Sequence, residues 1–335
     1  MNPQPVVPRV ERVGLSLAAA FVLWTGFVAL LSHRSPRGAV STVLLSVAAY
    51  TLGRTGTKFV ASWLIPAVIM VFAYAVFIES PSGTLSNLSS RGFLGYANAK
   101  AAFFIQAAFA TALIAAGVRS PVVTLLSLPA IALFVMVPVH ARSLGGFISS
   151  VLLIPGLVVA VIGKGARAAI ALGAVVALAG ISTSVVLARE FAGDHAPARS
   201  AKLAARVDEG RAAVWADAYR LLQDHPLLGV GPGGFAENSP TAVEEPDLRW
   251  AHNEFLQQGA ETGLLGFALL VGLIVWLFWR LWSMGSAPAA VAALAVSSLV
   301  IHACAEYLFH FPLLPATTAA LAGSASILGK ARFAL

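Results

Sequence analysis

The chain alternates long apolar stretches with short polar breaks, and one polar interval is far longer than the others. Apolar segments run about 13–31, 39–52, 59–78, 101–116, 121–139, 147–163, 168–188, 264–282, 288–308 and 311–328. A bilayer core about 30 Å thick takes roughly 20 residues of helix, and helices satisfy every backbone group inside it. The pattern predicts an all-α integral membrane protein with about ten transmembrane helices. The second segment is short and rich in Ser and Thr, and only His310-Phe311-Pro312 divides the last two. Arg9 and Arg12 precede the first, and no clear small-residue cleavage site follows it. It reads as an anchor, not a removed signal peptide. Three regions result: a bundle of about seven spans over 1–188, a long loop over 189–251, and a bundle of about three spans over 252–335.

The loop has its own pattern. From Ser200 to Asp224, Leu203, Val207, Val214, Trp215, Ala218, Leu221 and Leu222 recur at steps of three and four, among Arg206, Arg211, Asp217 and Arg220. That spacing predicts an amphipathic helix packed on the mouth of the bundle. It ends at Asp224-His225-Pro226, before LLGVGPGG (227–234), a turn whose glycines permit close approach to a ligand. This turn follows a helix and lacks the Lys-Ser/Thr of a P-loop, which argues against nucleotide binding. Residues 237–247 are acidic and hold two prolines, predicting a mobile, lid-like loop.

Composition agrees with the pattern: 58% of residues are hydrophobic and 11% charged, against about 25% charged in soluble domains. The net charge of +7 raises nucleic acid as a partner. However, residues 189–251 carry 7 Lys/Arg against 10 Asp/Glu, and the positive excess is scattered among short loops. No basic stripe exists for a phosphate backbone to follow, so the charge reports orientation and anionic headgroups. With the N-terminus inside, ten Lys/Arg fall on the inner side against five in the short outer loops. Both termini are then cytoplasmic and the long loop faces outward, the periplasm or exterior in a bacterium. A single cysteine, Cys304, excludes an intramolecular disulfide.

Candidate chemistry concentrates in RWAHNEFLQQGAETGLLG (249–266), where the loop re-enters the membrane. Polar side chains there are costly unless they face a cavity or a partner. If one helix starts at 251, His252, Gly259, Gly263 and Gly266 share a stripe, and Asn253, Gln257 and Glu261 form a second. A Gly-x-x-x-Gly row permits close helix contact, placing His252 above a helix–helix seam with Glu261 roughly opposite. An imidazole, with a reference pKa near 6.5, suits a general base; a cap at an interface is the plainer role. Arg142, in HARSLGG, either binds phosphate or snorkels to headgroups. Arg211 and Arg249 are ligand contacts or members of a solvated face. His302, Glu306 and His310 at i, i+4 and i+8 suggest metal ligands or a proton relay; with no fourth ligand visible, hydrogen bonding inside the bundle is the simpler reading. Asn98 caps the helix that opens after Tyr96.

Taken together, HPLLGVGPGGF (225–235) and AHNEFLQQGAETGLLG (251–266) resemble the bacterial O-antigen ligase and O-antigen polymerase family. EGRAAVW (209–215) is similar to its Gly-Arg-x-x-x-Trp segment and HARSLGG to its Ser-Arg-Gly motif, with Ala141 in place of the serine. GFLGYANAKAA (92–102) and VIHACAEYLFHFPLLPA (300–316) also resemble family stretches, and the matched order covers Gly92 to Ala316. Members often have about twelve spans, so the N-terminal part here is shortened. The resemblance implies a membrane glycosyltransferase moving a glycan from undecaprenyl pyrophosphate to an acceptor hydroxyl on the outer face of the bacterial inner membrane, without metal or cofactor. It implies that His252 takes the acceptor proton and that Arg142 and Arg211 hold the pyrophosphate. Arg249, Asn253, Gln257 and Glu261 are candidates for the sugar site. Ligase and polymerase differ only in acceptor. The rival class is a transporter or flippase of lipid-linked sugars with 302–310 as its relay, although transporters place key polar groups at the midplane.

Overall fold

The computed structural model describes residues 9–55, 60–78, 94–118, 120–193 and 208–329. Each apolar segment is at least partly helical among the described residues, but 147–163 is broken at Val151-Leu152 and 288–308 leaves the helix after Ala303. The chain runs through α1 (Arg9–Leu31), α2 (Arg37–Thr55), α3 (Val60–Ile78), α4 (Ala97–Val118), α5 (Pro121–His140), α6 (Leu144–Ser150), α7 (Leu153–Ile162) and α8 (Ala166–Ala192). The polar interval contributes α9 (Glu209–Asp224), α10 (Phe235–Asn238) and α11 (Pro240–Glu244). The bundle is completed by α12 (Glu254–Met284), α13 (Ala287–Ala303) and α14 (Leu313–Leu328). Among the described residues, six helical stretches are long and apolar enough to cross a membrane, one of them formed by α6 and α7 together. Most of α3, α13 and α14 are apolar but shorter. The protein is a helical membrane protein.

Helix α4 is apolar on every face and almost wholly buried, as a helix at the centre of a bundle must be. It is flanked by α3, α5, α7, α13 and α14. Helices α2 and α14 pack closely along each other, because Gly53 and Gly323 let the backbones touch. A Cβ at Gly323 would stand 2.2 Å from the Tyr50 carbonyl, and one at Gly53 2.5 Å from that of Ala320. Small residues at crossings serve membrane helices in this way. At the end of the bundle away from the loop, buried Glu11 on α1 meets Arg280 of α12 at 2.5 Å and Arg54 of α2 at 3.4 Å. Tyr50 Oη donates to the same carboxylate at 3.2 Å. The four groups fasten α1, α2 and α12 together.

Helix α12 is kinked at Gly263, whose φ of 69° is left-handed. The carbonyls of Ala260 and Glu261 accept the amides of Val230 and Gly231 (both 2.9 Å), and that of Thr262 accepts Trp24 Nε1 at 2.9 Å. Leu264 N donates to Pro226 O at 2.8 Å. The glycine-rich turn is therefore docked into the kink. The expected helix contact holds in part: Gly259 meets Leu222 of helix α9, whereas Gly263 meets the Leu227 backbone of the turn and not a helix. A Cβ at Gly263 would lie 2.2 Å from Leu227 O. Gly263→Ala should thus cost about 2–4 kcal/mol, from left-handed strain and displacement of the turn. Gly272→Ala, whose nearest neighbour would be a leucine methyl at 3.5 Å, should be neutral or slightly stabilising. Thermal melts of the two variants check this.

The described part of the loop from Asp208 onward packs on itself. The expected start of its amphipathic helix at Ser200, with Leu203, Arg206 and Val207, lies outside the described residues. From Glu209 onward the helix is present, with Val214, Trp215 and Ala218 buried against Phe235, Ala242 and Leu256. The acidic 237–247 stretch, expected as a mobile lid, is largely helical. Buried Asp217 accepts Ser239 Oγ at 2.7 Å and Thr241 N at 3.0 Å, and Arg34 forks onto Glu237 at 2.7 and 3.3 Å.

Candidate active site

Four separate stretches of chain meet at one buried carboxylate. Glu306, 3% exposed, lies in the turn after α13. Its Oε1 accepts Arg211 Nη2 from α9 and Asn98 Nδ2 from α4, both at 2.5 Å. Its Oε2 accepts Tyr96 Oη and faces His252 Nδ1 at 3.3 Å. Arg211 Nη1 also donates to the Ala305 carbonyl at 2.9 Å, so the guanidinium is held at two points. Burial pushes the Glu306 carboxyl up, but the hydrogen bond from His252, the charge of Arg211 and the Tyr96 hydroxyl outweigh it and hold it below the ordinary glutamate value. Burial, reinforced by the Glu306 charge and hydrogen bond, raises Tyr96, which therefore remains a donor.

His252 is placed by the backbone that precedes α12. Its φ of 48° is left-handed, a conformation of order 1 kcal/mol uphill for a residue with a Cβ. The neighbouring cap holds it there: Asn253 Oδ1 accepts Phe255 N and Leu256 N at 3.1 Å, and its Nδ2 donates to Cys304 O at 2.6 Å. Asn253 is wholly buried and both ends of its amide are engaged, so it fixes the backbone of the site. The His252 ring stands edge-on to Tyr307, with centroids 5.0 Å apart. A carboxylate on Nδ1 selects the tautomer with its proton there, leaving the Nε2 lone pair to accept. The pairing with Glu306 was not legible in the 302–310 spacing. Helix α13 stops at Ala303, so Glu306 leaves the stripe expected to join it to His302 and His310. Asn98, expected as a cap, instead reaches Glu306.

The other candidates divide between two neighbourhoods. Arg142 is exposed, with φ 52°; its amide donates to the Val139 carbonyl at 3.1 Å, and its guanidinium makes no hydrogen bond or ion pair among the described residues. Its neighbour Ser143 lies 3.4 Å from Nε2 of His302, in the last turn of α13. Arg249, also exposed, packs over the Trp250 ring at 5.0 Å. Gln257 and Glu261 belong to a second network: Glu254 Oε1 lies 3.2 Å from His310 Nδ1, Gln257 Nε2 donates to Glu261 Oε1 at 3.0 Å, and Gly233 N donates to Glu261 Oε2 at 2.8 Å. This network rims a cavity of about 540 Å³ that runs between α1, α2, α12 and α14 down to Tyr50 and Arg54. Trp250 lines the cavity and stacks on Tyr307 at 5.9 Å. Neither Trp250 nor Tyr307 stood out in the sequence, where they are single aromatics beside the charged residues that drew notice.

The family model described as O-antigen ligase matches residues 101–271. The chain belongs to the O-antigen ligase family. The match takes in Arg142, Arg211 and His252 and stops before Glu306. No curated protein matches the chain. Membership makes this a membrane protein of glycan ligation or polymerisation, acting on lipid-linked glycans; nothing in the match favours a transporter.

Proposed function

We propose that this O-antigen ligase family member transfers a glycan from undecaprenyl pyrophosphate to an acceptor hydroxyl at the periplasmic face of the bacterial inner membrane, as a surface-polysaccharide ligase or polymerase. The observation that carries the reading is the convergence of His252 and Arg211, 41 positions apart in sequence, on the Glu306 carboxylate. In the reaction, His252 Nε2 takes the acceptor proton while the acceptor oxygen bonds to the anomeric carbon. The bond from that carbon to the phosphate oxygen breaks, and the pyrophosphate keeps the electron pair. Arg211, anchored beside the base, and Arg142, whose guanidinium is free to turn, stabilise that charge. The Lys/Arg asymmetry of the short loops supports cytoplasmic termini and a site on the outer face, where lipid-linked glycans await ligation.

Arg142→Ala should raise the donor KM about tenfold, the loss of one charge-assisted hydrogen bond, with the acceptor KM unchanged. Kinetics with purified protein and a lipid-linked donor check this. An unaltered donor KM would return Arg142 to the role of a headgroup anchor.

A further inference from the structure

The end of α13 reaches all three candidate residues, directly or through one neighbour. The Ala305 carbonyl and the Glu306 carboxylate hold Arg211. The same carboxylate faces His252, and the Cys304 carbonyl accepts the amide of Asn253, which caps α12 beside it. His302 extends this stretch to the third candidate. Its ring is 1% exposed and lies against the corner between α5 and α6 that carries Arg142. Its Nε2 is 3.4 Å from Ser143 Oγ. A Cβ on Gly145 would stand 2.6 Å from the ring's Cδ2 and 3.0 Å from Nε2, so the missing side chain at Gly145 is what lets the imidazole seat there. Nδ1 has no partner among the described residues. With the proton on Nε2 the ring donates to Ser143 Oγ, and Nδ1 keeps a bare lone pair, a smaller penalty than a buried N–H.

The corner's own bonds set its shape. Ala141 N donates to Val137 O at 2.8 Å, Arg142 N to Val139 O at 3.1 Å, Ser143 N to Pro138 O at 2.9 Å and Gly146 N to Ser143 Oγ at 3.2 Å. Together they hold Arg142 in its left-handed conformation. All four stay within α5 and α6, so they do not fix where the corner stands relative to Glu306. Packing of α6 on α13 does that, and His302 gives that packing a directional contact. A buried imidazole is a costly choice where packing is the only need, since an aliphatic side chain fills the space without a polar atom to satisfy. His302 also lies outside the segment that the family model matches. We propose that His302 is a positioning residue. Through Ser143 and Gly145 it sets the Arg142 corner against the segment that holds Arg211 and His252, so that Arg142 meets the same pyrophosphate as Arg211. The donor role of Arg142 rests on the transfer reaction proposed above; the placement of the corner does not.

The test compares His302→Leu with His302→Gln, whose terminal amide nitrogen can donate to Ser143 as Nε2 does, in the full-length protein in phosphatidylcholine nanodiscs. It reads the affinity for undecaprenyl pyrophosphate and the hydrogen exchange of the backbone amides over residues 141–147. His302→Leu should weaken binding about fivefold, the worth of one hydrogen bond. Exchange at the corner should quicken by at least about fivefold, with the melting temperature near wild type. His302→Gln should bring both back to within about twofold of wild type. Arg142→Ala should weaken binding about tenfold, and adding His302→Leu to it should cost no more than about a further twofold, because the corner then presents nothing to misplace. Ser143→Ala removes the same bond from its other end and should match His302→Leu in binding, which carries the test if His302→Leu does not fold. Multiplied losses in the double variant, or an equal loss in His302→Gln and His302→Leu, would overturn the inference. So would wild-type binding and exchange in both His302→Leu and Ser143→Ala. If Arg142→Ala weakens binding and the His302 variants change neither quantity, the positioning role fails alone. If exchange responds as expected but Arg142→Ala binds pyrophosphate like wild type, the donor reading of Arg142 fails and the placement by His302 stands.

Discussion

Replacing His252 by alanine should lower glycan transfer by about 10²–10⁴-fold, the usual contribution of a positioned general base, with the protein still inserted. In cells the expected phenotype is accumulated lipid-linked glycan and lost surface polymer. Stability should change little. The ring makes one long hydrogen bond and one edge contact, and alanine relieves none of the left-handed strain that the Asn253 cap already holds. Transfer should fall through kcat with both KM values near wild type, because the proton moves only in the transition state. Surface glycan untouched by His252→Ala but abolished by His302→Ala would shift the chemistry to the end of α13.

Glu306→Gln should be nearly as damaging, about 10²-fold in kcat, because the amide no longer selects the His252 tautomer and no longer matches Arg211. Glu306→Asp should recover part of the loss, which a merely space-filling role does not predict. The charge also leaves a mark on stability. The Glu306 carboxyl sits below the ordinary glutamate value of 4.5 when folded, so unfolding raises its pKa. Its contribution is complete above about pH 4.5 and is lost as pH falls through the lower folded value. Melts taken from about pH 6 to about pH 3 should therefore show an acid destabilisation in the wild type that Glu306→Gln lacks. Parallel acid profiles for the two proteins would remove Glu306 from the account of the clamp.

Much of the architecture is legible in the hydrophobic pattern, because a bilayer admits few solutions for the backbone. Each apolar segment is helical over most of its described length, and Val214, Trp215 and Ala218 face the interior as their spacing predicts. Arg211 and His252 could be singled out because charge and imidazole are conspicuous at a membrane mouth. Their meeting point could not. Helical periodicity carries Glu306 on from α13, whereas the chain turns at Ala303 and presents its carboxylate to three other elements, a tertiary outcome that no local spacing encodes. Gly263 misled for the same reason. A glycine row predicts close approach but not by what, and the partner is the turn at Pro226–Gly231. Asn253 is a polar group at a helix mouth in the sequence; that its Oδ1 caps α12 while its Nδ2 reaches the Cys304 carbonyl is again a tertiary outcome.

The most direct test of the central claim is product analysis with purified protein in liposomes supplied with a polyprenyl-pyrophosphate-linked oligosaccharide and a hydroxyl acceptor. Wild-type protein should release one free polyprenyl pyrophosphate for each oligosaccharide joined to acceptor, and His252→Ala should yield almost neither. Movement of the intact lipid-linked glycan across the bilayer without bond cleavage, or equal transfer by His252→Ala, would contradict it.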